Sequence, residues 1–179
     1  IVFNGQTLSV LRPARRKKSV LRLLDTLSEQ QQRDNHAPAQ DEQSAQTRLD
    51  TALTEARRVA HTGSRIFVIS DFLGISPETG TLLGALARHN AVSALRIVDP
   101  LEKELPKRGR FAVAGPHGPV WFDAGNPRFQ RAWHEKVTDH ERRLAECFRT
   151  SGVTMAEVST AEDPAVTLKL LLGPGGRIG

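Results

Sequence analysis

Two short apolar runs constrain this chain more than any other feature. Arg65 to Ser70, "RIFVIS", and Ala91 to Val98, "AVSALRIV", are rich in β-branched and apolar residues and are separated by one segment of helical periodicity. Continuous apolar runs of this length belong to strands covered on both faces, as in parallel sheets. In the intervening segment, Ser76-Pro77 supplies an N-cap and a proline at the first helical position, and Leu82, Leu83 and Leu86 form the inward stripe. Strand, helix, strand is the unit of right-handed parallel crossovers. The expected fold class is therefore α/β: a three-layer, doubly wound, mostly parallel sheet.

The remaining segments extend that pattern. "IVF" and "TLSVL" flank Asn4-Gly5, which predicts an antiparallel hairpin. In "KSVLRLLDTL", Val20, Leu23, Leu24 and Leu27 recur with the spacing of a helix that covers one face of a sheet. Residues 30–46 are polar and read as a mobile loop. Thr47 to Asp50, Thr-x-x-Asp, reads as a capping box that opens a second helix ending near His61 to Gly63. "RFAVAG" and "PVWF" around Pro116-His117-Gly118 predict an inserted β-hairpin. A long helix from Pro127 to about Thr150 turns Phe129, Trp133, Val137, Leu144 and Phe148 inward; a strand over 153–158 and a helix from Asp163-Pro164 to Leu172 complete the series. One domain over 1–172 and a flexible glycine-rich tail over 173–179 are expected.

Composition narrows the function classes. With 39% hydrophobic and 25% charged residues, and no apolar run near the roughly 20 residues of a membrane-spanning helix, the chain reads as a soluble cytoplasmic protein without a signal peptide. "IVFNGQ" lacks an initiator methionine and reads as mid-strand, so the chain is expected to be part of a longer one, whose upstream portion is free to carry a membrane anchor. The lone Cys147 excludes an internal disulfide and reads as a buried structural thiol in a reducing compartment. A formal charge of +5 arises from 25 basic and 20 acidic residues, and the one basic cluster is "RPARRKK", residues 12–18. Its cations precede a helix, where they oppose the helix dipole. Arg15, Arg16, Lys17 and Lys18 thus read either as a solvated loop or as a docking patch for an acidic partner. Nucleic-acid binding through them is the weaker reading, because no aromatic platform lies nearby.

The candidate site residues are Asp71 and Thr47. Ligands of open parallel sheets bind beyond the carboxyl ends of the strands, and Asp71 stands at such an end. Its ordinary role would be to bond the amides of the following turn, and that of Thr47 to cap a helix. Together on one sheet edge, a hydroxyl and a carboxylate are hard oxygen donors of the kind that hold Mg²⁺. His134 and His140 lie six apart on one helix, which does not put two imidazoles on one face, and no His-Glu-x-x-His, Gly-x-Ser-x-Gly, phosphate-loop lysine motif or Gly-x-Gly-x-x-Gly occurs. A small metal-dependent hydrolase or phosphatase using Asp71 would need a second acid and a base on the same edge, and the sequence places neither.

The order "IVFNG", "LRPARRKKSVLRLLDTL", "TRLDTALTEA", "RIFVISDFL", "HNAVSALRIVDPLEKELPKRG", "WFDAGNPRFQRAW" and "STAEDPAVTLKLLL" resembles the C-terminal portion of domain-of-unknown-function family fifty-eight. The most specific piece is "DPLEKELP", Asp99 to Pro106. These are bacterial proteins with a von Willebrand factor A-like domain, commonly encoded beside MoxR-type AAA+ ATPases. The resemblance implies a non-enzymatic protein-interaction module whose sheet edge carries a metal-ion-dependent adhesion site. By motif position Thr47 is its threonine and Asp71 its third-loop aspartate. The Asp-x-Ser-x-Ser loop that completes such a site is absent; in the family it precedes the segment resembling "IVFNG". The expectation is an incomplete site that holds no Mg²⁺ in this fragment, with Mg²⁺ binding left to the full-length protein. "ISDF" also departs from the Thr-Asp-Gly of other von Willebrand A domains.

Overall fold

Hydrogen bonding joins the two apolar runs in parallel, from Arg65 opposite Ala91 to Ser70 opposite Arg96. The structure is a computed structural model and describes residues 1–4, 8–11, 17–34, 42–115 and 118–172. A hairpin of β1 (Val2–Phe3) and β2 (Leu8–Ser9) is followed by α1 (Lys17–Asp34), α2 (Glu42–Val59), β3 (Arg65–Ser70), α3 (Thr79–Ala87), β4 (Ala91–Val98) and the short α4 (Pro100–Lys103). A second hairpin, β5 (Arg110–Gly115) and β6 (Gly118–Asp123), leads into α5 (Pro127–Ser151), β7 (Thr154–Ser159) and α6 (Pro164–Leu172). The fold is mixed α/β around a three-stranded parallel sheet of order β3-β4-β7, and each hairpin forms its own two-stranded antiparallel sheet.

One face of the sheet makes the core. Val68 and Ala94 pack with Leu49 and Leu53 of α2, Leu83 and Leu86 of α3, and Leu144, Cys147 and Phe148 of α5. Helix α3 lies close on α5 because two glycines face it. A Cβ on Gly80 would stand 3.1 Å from Thr150 Oγ1 and 3.2 Å from the Cys147 carbonyl oxygen, and one on Gly84 3.5 Å from the Ser151 carbonyl oxygen. At Gly80 a Cβ would force its neighbours to give by a few tenths of an ångström, whereas at Gly84 it would meet ordinary van der Waals contact.

The other face of β3 differs from expectation. Phe67 and Ile69 are exposed, so β3 is covered on one face only and stands at the edge of the sheet. Alternation of Ile66 and Val68 inward with Phe67 and Ile69 outward is invisible in a run where every side chain is apolar. Helix α1 departs in the same way: Val20, Leu23, Leu24 and Leu27 form the predicted stripe, yet all are exposed rather than packed on a sheet. The bond from Gln30 Nε2 to Ser9 Oγ, at 3.5 Å, links α1 to the first hairpin.

Helix boundaries shift as well. Helix α1 runs on to Asp34 and α2 starts at Glu42, so much of the expected loop over 30–46 is helical, with 35–41 outside the described residues. Glutamine, glutamate and alanine are good helix formers, and their polarity alone does not stop a helix. The expected hairpin turn at Gly5 and the tail over 173–179 also lie outside the described residues.

Candidate functional site

The chain leaves β3 through a sharp turn that sets the position of Asp71. Phe72 has φ 55, the only non-glycine residue with positive φ among those described, and its side chain is fully buried. A left-handed conformation costs a residue with a Cβ about 1–2 kcal/mol. It is held here because the Phe72 ring packs edge-on to Phe148, at 5.3 Å and 80° between planes, inside the core. Reversing the backbone at Phe72 sends its ring inward and leaves Asp71 exposed. Asp71 Oδ1 accepts from the Leu73 amide at 3.1 Å and from Ser70 Oγ at 3.3 Å, while Ser70 Oγ accepts from the Phe72 amide at 3.1 Å. Oδ2 of Asp71 has no hydrogen-bond partner among the described residues.

Two more carboxylates share this rim. Asp99, at the end of β4, caps α4 by accepting from the Leu101 amide at 2.9 Å. Glu102 follows, and its carboxyl is held above the ordinary glutamate range by partial burial and then by the nearby charges of Asp71 and Asp99. The carboxyl edge of the sheet thus concentrates negative charge.

Thr47 is not a helix cap, as its Thr-x-x-Asp spacing predicted. Helix α2 begins five residues earlier, Thr47 is exposed within its second turn, and its carbonyl accepts from Thr51 Oγ1 at 2.6 Å. The residue that ties α2 to the loop is Asp50, one turn on. Its Oδ2 accepts from Ser76 Oγ at 2.5 Å and its Oδ1 from Thr79 Oγ1 at 2.7 Å, and Thr79 is fully buried. This network brings the turn of α2 that follows Thr47 to the loop between Asp71 and α3. Ser76 is not the cap of α3: its Oγ accepts from the Glu78 amide at 3.0 Å within the preceding turn, and regular α-helix starts only at Thr79, two residues later than Ser76-Pro77 suggests, with Glu78 at the cap position and no side-chain cap bond.

A second network lies within the sheet, on Arg96 of β4. Arg96 is 3% exposed. It donates to Glu141 Oε1 and Oε2 at 2.7 and 2.9 Å and to Glu157 Oε1 at 3.0 Å, and Lys103 Nζ contacts Glu157 Oε2 at 2.6 Å. The guanidinium holds the Glu141 carboxyl below the ordinary range. Burial alone would make Arg96 easier to deprotonate, but Glu141 and Glu157 outweigh it and keep the charge firmly in place. An arginine inside "ALRIV" is the signal that could have exposed this network, since a buried cation requires carboxylate partners.

Lys17 and Lys18 open α1 and are exposed; Arg15 and Arg16 lie outside the described residues. Cys147 is buried, and burial together with the Asp50 charge pushes its thiol up to about 11, which makes it a poor nucleophile. Among the described residues no three His, Cys, Asp or Glu side chains group so as to hold a metal ion, and no helix is long and apolar enough to cross a membrane. The family model described as Protein of unknown function DUF58 matches residues 1–143. No curated protein and no solved structure matches the chain.

Proposed function

This chain belongs to the DUF58 family, and we propose that it is a non-enzymatic protein-interaction module of von Willebrand factor A type that works with a MoxR-type AAA+ ATPase. The observation that carries the reading is the exposed Asp71 carboxylate at the carboxyl end of β3, with one oxygen engaged by its own turn and the other without a protein partner among the described residues. The acidic neighbours Asp99 and Glu102 add to its attraction for a cation. In this reading Asp71 and Thr47 are two of the oxygen ligands of Mg²⁺, the rest belonging to an Asp-x-Ser-x-Ser loop that this sequence does not contain, and the free coordination position takes an acidic side chain of the partner. Two ligands fall well short of the near-octahedral set that Mg²⁺ demands, so the chain as it stands does not bind the ion tightly.

Two measurements test this. The melting temperature of the purified chain should change little with millimolar Mg²⁺, and a rise of several degrees would refute the incomplete site. Binding of a MoxR-type ATPase from the same organism, followed by calorimetry with Mg²⁺ present and an Asp-x-Ser-x-Ser segment supplied ahead of Ile1, should be lost on Asp71→Lys and weakened on Asp71→Asn; unchanged affinity in both would refute docking at this rim. Generic phosphomonoesters should not be turned over, and hydrolysis abolished by Asp71→Asn would replace the interaction reading with a hydrolytic one.

A further inference from the structure

The β5–β6 hairpin has an axial pattern that neither the core nor the sheet rim explains. From its base outward the cross-strand pairs are Arg110 with Asp123, Phe111 with Phe122, Ala112 with Trp121, Val113 with Val120, Ala114 with Pro119 and Gly115 with Gly118. After the first pair none carries a charge. Phe111, Val113, Val120 and Phe122 share one face; Ala112, Trp121 and Pro119 share the other. At the base, stacking of Phe122 on Phe129, 4.7 Å between centroids, and of Phe129 on Trp133 joins the hairpin to α5. Farther out that support ends: Val113 is 51% exposed, Val120 54% and Trp121 64%, the most exposed large apolar side chain among the described residues.

Cations outnumber carboxylates at the base, where Asp123 stands opposite Arg110. Lys107, Arg108 and Arg110 precede or begin β5, Arg128 opens α5, and all four are exposed without an ion pair among the described residues. A second copy docked tip to tip or side by side would bring these cations together, so the charge calls for an anionic partner. A folded protein surface would cover one face of the hairpin. Apolar side chains on both faces fit instead a medium that surrounds the ribbon. The stripe on α1 is different, since it occupies one side of a helix, as in a helix that lies on a sheet. We propose that the β5–β6 hairpin inserts its cross-strand pairs Ala112–Trp121 and Val113–Val120 shallowly into an anionic lipid surface, with Trp121, Val113 and Val120 at the level of the headgroups and Lys107, Arg108, Arg110 and Arg128 against the lipid charge. Free strand edges leave backbone groups unpaired, which restricts insertion to the interface.

The test is flotation of the full 179-residue chain with vesicles of phosphatidylcholine alone and of phosphatidylcholine with 30% phosphatidylserine by design of the assay, roughly a cytoplasmic-leaflet charge. Binding is expected to the anionic vesicles, to fall steeply with added salt, and to be near background on the neutral ones. Brominated lipid should quench the emission of Trp121, and the quenching should vanish in Trp121→Phe. The charge variant Lys107→Glu/Arg108→Glu should weaken binding at least about twentyfold, at about fivefold for each cation lost. Trp121→Ser should weaken it at least about tenfold through lost apolar burial. All three side chains are exposed, so melting should be unchanged, and the charge variant leaves the apolar ribbon intact should Trp121→Ser perturb it. Equal binding to neutral and anionic vesicles, or quenching that persists in Trp121→Phe, overturns the proposal. So does binding of a single-stranded oligonucleotide that quenches Trp121 while vesicles fail to bind.

Discussion

Phe72 gives the sharpest test of how the candidate site is held. Replacing a buried phenylalanine by alanine costs about 3–5 kcal/mol, and Phe72, fully buried against Phe148, should lie within that range. Alanine keeps the Cβ and with it the strain of φ 55, whereas glycine removes it. The relief of about 1–2 kcal/mol is offset in part by the extra freedom of glycine in the unfolded chain, about 0.5–1 kcal/mol. Phe72→Gly should therefore be more stable than Phe72→Ala by about 0.5–1 kcal/mol, although it deletes more of the side chain. At Val68, in regular strand four residues earlier, the order should reverse, with glycine the worse by about 0.5–1 kcal/mol. Urea unfolding resolves such differences: with a slope of about 2 kcal/mol/M the two Phe72 variants should separate by about 0.3–0.5 M in midpoint. If Phe72→Gly unfolds at or below the midpoint of Phe72→Ala while the Val68 pair behaves normally, the left-handed turn is not what holds Asp71 at the rim.

Asp50→Ala should destabilise by about 2–3 kcal/mol, since the buried Thr79 hydroxyl loses its charged acceptor while Ser76 can still turn to Glu78. In a cycle with Thr79→Val the two losses should be far from additive, and additivity within about 0.3 kcal/mol would break the network. Glu141 titrates below its unfolded value, so its stabilisation is complete above about 4.3, the unfolded pKa, and fades as pH falls through the folded one; urea midpoints from pH 7 to 3 should show Glu141→Gln less stable at pH 7 and the gap closing in acid. Glu102 has the opposite sign. Its raised pKa means that stability is present below the unfolded value and is lost as pH rises through the folded one, so Glu102→Gln should gain a few tenths of a kcal/mol at pH 7 and nothing at pH 3. Cys147 should resist a thiol reagent at pH 8 and react only as fast as the fold opens, becoming rapid in urea; fast labelling of native protein would contradict its burial.

The elements that could be read from sequence are those with strong local punctuation. β3 and β4 match the expected runs residue for residue, and α5 begins at Pro127 because Asn126 Oδ1 accepts from the Arg128 amide at 2.9 Å, a cap that local chemistry dictates. Asp163 opens α6 in the same manner, through the Ala165 amide at 2.9 Å. Boundaries without such punctuation failed, at Thr47 above all, since nothing in "EQSAQ" stops a helix from extending backwards. Asp71 was legible because a carboxylate ending an apolar run has few places to go. Asp50 and Arg96 were not, since their partners lie 26 to 61 residues away along the chain.

Local pattern alone determined where strands and helices form, that β3 and β4 pair in parallel across one helix, and that a carboxylate ends the first of them. Tertiary structure decided which face of β3 is covered, that Phe72 accepts a left-handed backbone in exchange for a place in the core, and which buried charges meet. The physical reason is range. Propensity, capping and periodicity act over a few residues, whereas burial of a ring or neutralisation of a guanidinium depends on what the rest of the chain brings alongside.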